Sequence, residues 1–152
     1  MRNIISITML SMFLGACASN DTAQVVSETP INYMDLSLKD QRDLVKEYWV
    51  VEKRQDPKYP LEAAKKGLSG CVELIVGINQ DGKTSGYKVK NSYPKGVFDN
   101  NAAASLKKWK WSATEGNIDR IPVLTSIQLD FMVSGAKNAK EAKSNCEIDY
   151  KV

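Results

Sequence analysis

Histidine is absent from this chain of 152 residues, so the commonest general base and the commonest ligand of transition metals are both missing. A catalytic or metal-binding role built on imidazole is excluded, and no metal or cofactor is expected. Beyond residue 17 there is no apolar run long enough to cross a bilayer. Acidic and basic residues are mixed along the chain, with a formal net charge of +3. No basic tract is interleaved with stacking aromatics, and nucleic acid is not an expected partner. Internal repeats and low-complexity tracts are also missing.

What the first residues do contain is a positive Arg2 followed by an uncharged stretch from Asn3 to Ala16. As a helix that stretch measures about 21 Å, against roughly 30 Å of hydrocarbon. It is too short to span comfortably and has the form of a secretory signal. It ends in Leu14-Gly15-Ala16-Cys17, which resembles the lipobox of bacterial lipoproteins. The resemblance implies cleavage after residue 16 and acylation of Cys17, with a plain secretory signal as the alternative. Ala18 and Ser19 follow where an aspartate would favour retention in the inner membrane. The expected location is therefore the periplasmic face of the outer membrane of a Gram-negative cell.

Of three cysteines, lipid on Cys17 leaves Cys71 and Cys146 as a pair in an oxidising compartment. A disulfide is expected, with two free thiols as the alternative. Residues 17–36 are small and polar and predict a flexible tether, spanning on the order of 25 Å. Residues 37–56 predict a helix over Leu38 to Glu47, capped by Ser37 and Asp40, and then an extended segment from Tyr48.

From residue 57 the pattern sharpens. Pro60 opens a short helix with Leu61, Ala64 and Leu68 inward, and Gly67 ends it. Val72, Leu74, Val76 and Ile78 alternate with Cys71, Glu73, Ile75 and Gly77 in a strand, and Asn79 to Gly82 make the turn into a second strand carrying Tyr87 and Val89. Phe98, Ala102, Leu106 and Trp109 share one helical stripe, with Asp99 in its first turn and Lys107, Lys108 and Lys110 in its last. A third strand runs from Val123 to Val133, with Ile127, Leu129, Phe131 and Val133 inward. A polar tail over residues 134–152 carries Cys146. This order predicts an α+β fold: a three-stranded antiparallel sheet in spatial order 2-1-3 with two helices on one face.

Tyr59-Pro60, Gly70, Asp81-Gly82, Ser92-Tyr93-Pro94 and the stripe from Phe98 to Trp109 together resemble the TonB C-terminal domain family over residues 57–133. The resemblance implies a periplasmic domain that binds a short segment of an outer-membrane transporter by adding it as a strand to its sheet edge. The full transducer has an inner-membrane helix and a long proline-rich arm, which this sequence lacks, so recognition is expected rather than energy transduction. Lys88 and Lys90 discourage pairing on the second strand, which leaves the third strand, with Leu124, Ser126, Gln128 and Asp130, as the partner-binding edge.

The expected function is thus a lipid-anchored protein-interaction module that binds a periplasmic segment of an envelope or outer-membrane protein. Two alternatives are an accessory component of TonB-dependent transport and a structural lipoprotein whose edge is covered by Tyr48 to Lys53 or by the tail. Ser105-Leu106-Lys107-Lys108 matches the S-x-x-K pattern of serine acyl-transfer enzymes, and Trp49 or Trp111 offers a surface for stacking a sugar. The helix stripe already accounts for Ser105, and partial burial accounts for the tryptophans. An enzyme is not expected.

Overall fold

The structure, a computed structural model, describes residues 30–146. The lipobox with Cys17, the signal segment and most of the tether lie outside the described residues. Ten elements follow in order: β1 (Met34–Leu36), α1 (Val45–Tyr48), β2 (Trp49–Lys53), α2 (Leu61–Lys66), β3 (Gly70–Ile78), β4 (Thr84–Tyr93), α3 (Asp99–Leu106), β5 (Lys110–Ala113), β6 (Val123–Phe131) and α4 (Ala139–Cys146). The expected α+β fold is present, and β4, β3 and β6 form the antiparallel 2-1-3 core. Two features extend it. β1 adds a fourth strand, parallel to β6, and β2 pairs with β5 in a separate two-stranded sheet.

The alternation in β3 works as its residue types require. Val72, Leu74, Val76 and Ile78 are wholly buried beneath the helices, while Glu73 and Ile75 face the other way. Phe98 stacks on Phe131 with ring centroids 4.5 Å apart, and Tyr59 meets both edge-on. The turn after β3 is held by the Asn79 side chain, which accepts hydrogen bonds from the amides of Asp81 and Lys83. Gly82 sits at φ +68°, and a Cβ there would lie 2.0 Å from the carbonyl oxygen of Trp111. Only glycine lets β5 approach so closely, and the Trp111 amide bonds to the Gly82 carbonyl at 2.9 Å.

Several expectations need correction. The tether ends earlier than residue 36, because Met34–Leu36 pairs with β6. The helix over 38–47 is a 3-10 turn, Arg42–Leu44, running into the short α1, and Ser37 does not cap it. Ser37 is buried and its amide donates to Asp35 Oδ1, which closes a local turn instead. In α2 the buried residue is Ala63, while Leu61 is 68% exposed. The chain enters this six-residue helix from the extended Pro60, which turns the opposite side inward, while Gly67 at φ +63° ends it as read. α3 stops at Leu106, so Trp109 and the lysines lie beyond it. Trp109 is still buried, because its indole donates to the Gln55 carbonyl at 2.9 Å. The segment Tyr48 to Lys53 does not cover β6, since β2 is paired with β5. Val133 lies past the strand and is exposed.

Candidate strand-docking edge

β6 alternates as the sequence pattern demands, with Val123, Thr125, Leu129 and Phe131 buried on the helix side. Leu124, Ser126, Gln128 and Asp130 project on the opposite, outer face, where each has a local task. Leu124 lies opposite Asp35 of β1. The Ser126 hydroxyl donates to Glu73 at 2.6 Å, and the Gln128 amide donates to Asp130 and to the Cys146 carbonyl. These side chains brace the strand, so a partner added here would be held through the backbone of β6 and through a groove beside it.

As far as Cys146, the tail lies over the outer face. Cys71 and Cys146 are joined with Cα atoms 5.7 Å apart, and α4 packs against β3 and β4. Up to Cys146, the last described residue, the tail makes no strand pairing with the backbone edge of β6. β1 covers that edge at Val123, Leu124 and Thr125 only. Among the described residues no strand pairs with the edge from Ser126 to Phe131.

Beside the open stretch lies a groove of about 450 Å³ whose walls include Ile127, Val45, Val50 and Val51, with Trp109 and Trp111. Val50 and Val51 are 47% and 49% exposed, although both are β-branched residues in a strand. Sequence reasoning missed this wall. Two adjacent valines in a run of β-formers resemble core, and only the pairing of β2 with β5 turns them toward the groove.

One charged cluster braces the outer face. Glu73 faces Lys90 Nζ at 3.0 Å, Arg42 Nη2 at 3.7 Å and the Ser126 hydroxyl. Burial pushes the Glu73 carboxyl up, but the hydrogen bonds from Ser126 and Lys90 and the charges of Lys90 and Arg42 outweigh it, leaving it below the usual glutamate range. A depressed folded-state value means that the carboxylate stabilises the fold above the ordinary glutamate range. That contribution is lost as pH falls through the lower folded value. Urea titrations between about pH 6 and about pH 3 are expected to show Glu73→Gln with a shallower loss of stability on acidification than the wild type. Equal slopes would show that Glu73 is not coupled to folding.

The catalytic alternative loses its nucleophile here. Ser105 and Lys108 line one small hollow, but Ser105 is buried and its hydroxyl donates to the Gln55 carbonyl. Among the described residues no group of three or more acidic, cysteine or histidine side chains comes together as a metal site. Trp49, Trp109 and Trp111 are 2%, 6% and 4% exposed, which leaves no open ring face for a stacked sugar.

Comparison with known proteins agrees with this architecture. Residues 55–133 match the family described as the Gram-negative bacterial TonB protein C-terminal, just over half of the chain. The chain belongs to the TonB C-terminal family. Protein TonB from two strains of Xanthomonas campestris pv. campestris is 28% identical over 78 residues, 51% of this chain and 35% of each relative. The match thus spans about a third of those relatives' length. The solution structure of the Pseudomonas aeruginosa TonB C-terminal domain superposes with a TM-score of 0.51 at 20% identity, covering 66% of this chain and 94% of that one. That likeness is one of fold. Within this TonB C-terminal chain, β1, α1, β2 and α4 all lie outside the matched stretch. No helix among the described residues is long and apolar enough to cross a membrane.

Proposed function

We propose that this protein is a lipid-anchored, non-enzymatic interaction module of the Gram-negative envelope. Its TonB-type domain accepts an extended segment of an envelope or outer-membrane protein as an added strand on β6. The observation that carries the reading is the open edge from Ser126 to Phe131 beside an apolar groove. An unpaired strand edge offers a row of backbone donors and acceptors to an incoming chain, and a flanking pocket selects its side chains. The opposite edge, β4, carries exposed Lys88, a charge that discourages strand pairing. Cys17, by its lipobox, supplies the anchor and places the module on the periplasmic face of the outer membrane. Work alongside a motor-linked TonB protein, as an accessory of TonB-dependent transport, is compatible with the same edge.

A structural role with a self-covered edge is the second reading, favoured by the pairing of β1 with Val123–Thr125. Photocrosslinkers at positions 51 and 127 separate the two. In intact cells both are expected to capture the same envelope protein, while position 88 on the far edge captures none of it. Absence of any product from 51 and 127 would favour the structural role. For the anchor, Cys17→Ala is expected to block lipid attachment and lipoprotein processing, leaving an unacylated chain that retains residues 1–16. A mature wild-type mass without acyl groups would overturn lipidation.

A further inference from the structure

The strand that covers part of β6 is itself a guide to what fits there. β1 lies parallel to β6 with Met34, Asp35 and Leu36 opposite Val123, Leu124 and Thr125, and the Met34 amide bonds to the Pro122 carbonyl at 2.9 Å. Two side chains secure it. Leu36 is buried and joins the core. Tyr33 reaches over the outer face and lays its ring on Gly77, where two ring carbons stand 3.2 Å from the place a Cβ would occupy. Ser85 spends its hydroxyl proton on the Gly77 carbonyl, so the Tyr33 hydroxyl is the donor to Ser85 Oγ. Leu124 and Ile75 line the shallow hollow beside that ring.

Burial along the segment is slight elsewhere. Among residues 30–42 only Leu36 and Ser37 are buried, and Ile31 and Leu38 are exposed. Downstream, Arg42 clips the segment to Glu73, but its Nε is buried with no partner. That unmet donor opposes the clip, because a buried polar group without a hydrogen bond is costly. If Arg42 lets go, Nε regains water, and Glu73 keeps Lys90 and Ser126. Release therefore leaves no buried charge without a partner.

We propose, on the reading of β6 as a docking edge, that Tyr33 to Ser37 is an intramolecular stand-in for the partner strand. It gives way to an extended segment of the same pattern, an aromatic residue followed three positions later by an aliphatic one. The partner's aromatic ring takes the seat on Gly77 and its aliphatic side chain takes the site of Leu36. Displacement lengthens the open edge from Ser126–Phe131 to Val123–Phe131, the whole of β6. Because the stand-in is tethered, it competes at a high local concentration, and apparent affinity falls by the fraction of molecules in which the edge is closed.

The probe is a labelled peptide of residues 31–38, Ile-Asn-Tyr-Met-Asp-Leu-Ser-Leu, added to the soluble chain from residue 18 onward. The chain carrying Tyr33→Ala and Leu36→Ala together is expected to bind it at least about 10-fold more tightly than the wild type. The same two replacements in the peptide should abolish binding. Equal affinities, with β3 amide exchange unchanged in the variant, would overturn the proposal. Hydrogen exchange on the wild type covers the case of a variant that does not fold. The β1 amides are expected to exchange at least about 10-fold faster than those of β3, by local opening, and exchange of β1 in step with β3 would reject the stand-in. Neither measurement uses a cellular partner. Failed capture from positions 51 and 127 would count against the docking function alone, whereas capture by a protein whose β1 never opens would count against the stand-in alone.

Discussion

Trp109→Ala is expected to lower stability by about 3 to 5 kcal/mol, a large part of the roughly 5 to 15 kcal/mol that holds a domain of this kind together. The ring lies past the end of α3 and is 6% exposed. It stands 5.8 Å from Trp111, with the Arg54 guanidinium 5.3 Å from its centroid on the solvent side. Truncation removes the floor of the groove beside β6 and one of the two donors that the Gln55 carbonyl accepts, the other being Ser105. Surrounding strands cannot collapse into the space, because β2 and β5 are pinned by their own pairing. A fall in melting temperature of more than about 10 °C is expected. Trp109→Phe, which keeps most of the apolar volume and loses only the indole donor, should cost about 1 kcal/mol. A Trp109→Ala chain melting within a few degrees of the wild type would show that the ring carries no core load.

Removing the disulfide is the second large effect. Cys71 and Cys146 are 75 residues apart, and closing a loop of that length in the unfolded chain accounts for about 4 to 5 kcal/mol in the chain-entropy description. The bond also has a local task. Cys146 is the last residue of α4, its carbonyl accepts from Gln128, and the helix otherwise anchors through Ala142 and through Asn138, whose side chain bonds to both the amide and the carbonyl of Ser69. In Cys71→Ser with Cys146→Ser, α4 is expected to loosen first and the sheet to unfold at a markedly lower denaturant concentration. Denaturant titrations of the wild type with and without reductant should reproduce the difference. Identical curves, with free thiols confirmed by alkylation, would show that the bridge adds nothing to the folded state.

Much of this protein was legible in its residue order, for reasons that are local. The strict alternation from Val72 to Ile78 makes a strand with one buried face. Asn79 to Gly82 makes a tight turn, Gly67 ends a helix, and Phe98, Ala102 and Leu106 mark a helix-side stripe, whatever else surrounds them. Those elements, joined by short connections, leave few arrangements other than the 2-1-3 sheet. The two remaining cysteines also pointed to their bridge. Alternation along β6 likewise placed Leu124, Ser126, Gln128 and Asp130 on one face.

Tertiary structure alone decided which side of each short element was useful and which edge stayed open. β5 is four residues with only Trp111 buried, and β1 is three residues in a polar stretch. Neither has a period long enough to detect, and each exists because a distant strand supplies its hydrogen bonds. Leu61 is exposed and Ala63 buried because the direction of α2 is set by the approach from Pro60 and the packing beneath it. Whether Ser126 to Phe131 presents a free backbone depends on where the tail and the first residues go. The disulfide holds the tail over the outer face as far as Cys146, and β1 pairs with β6 only as far as Thr125. A strand's face follows from its own residues, whereas its edge is defined only by its neighbours.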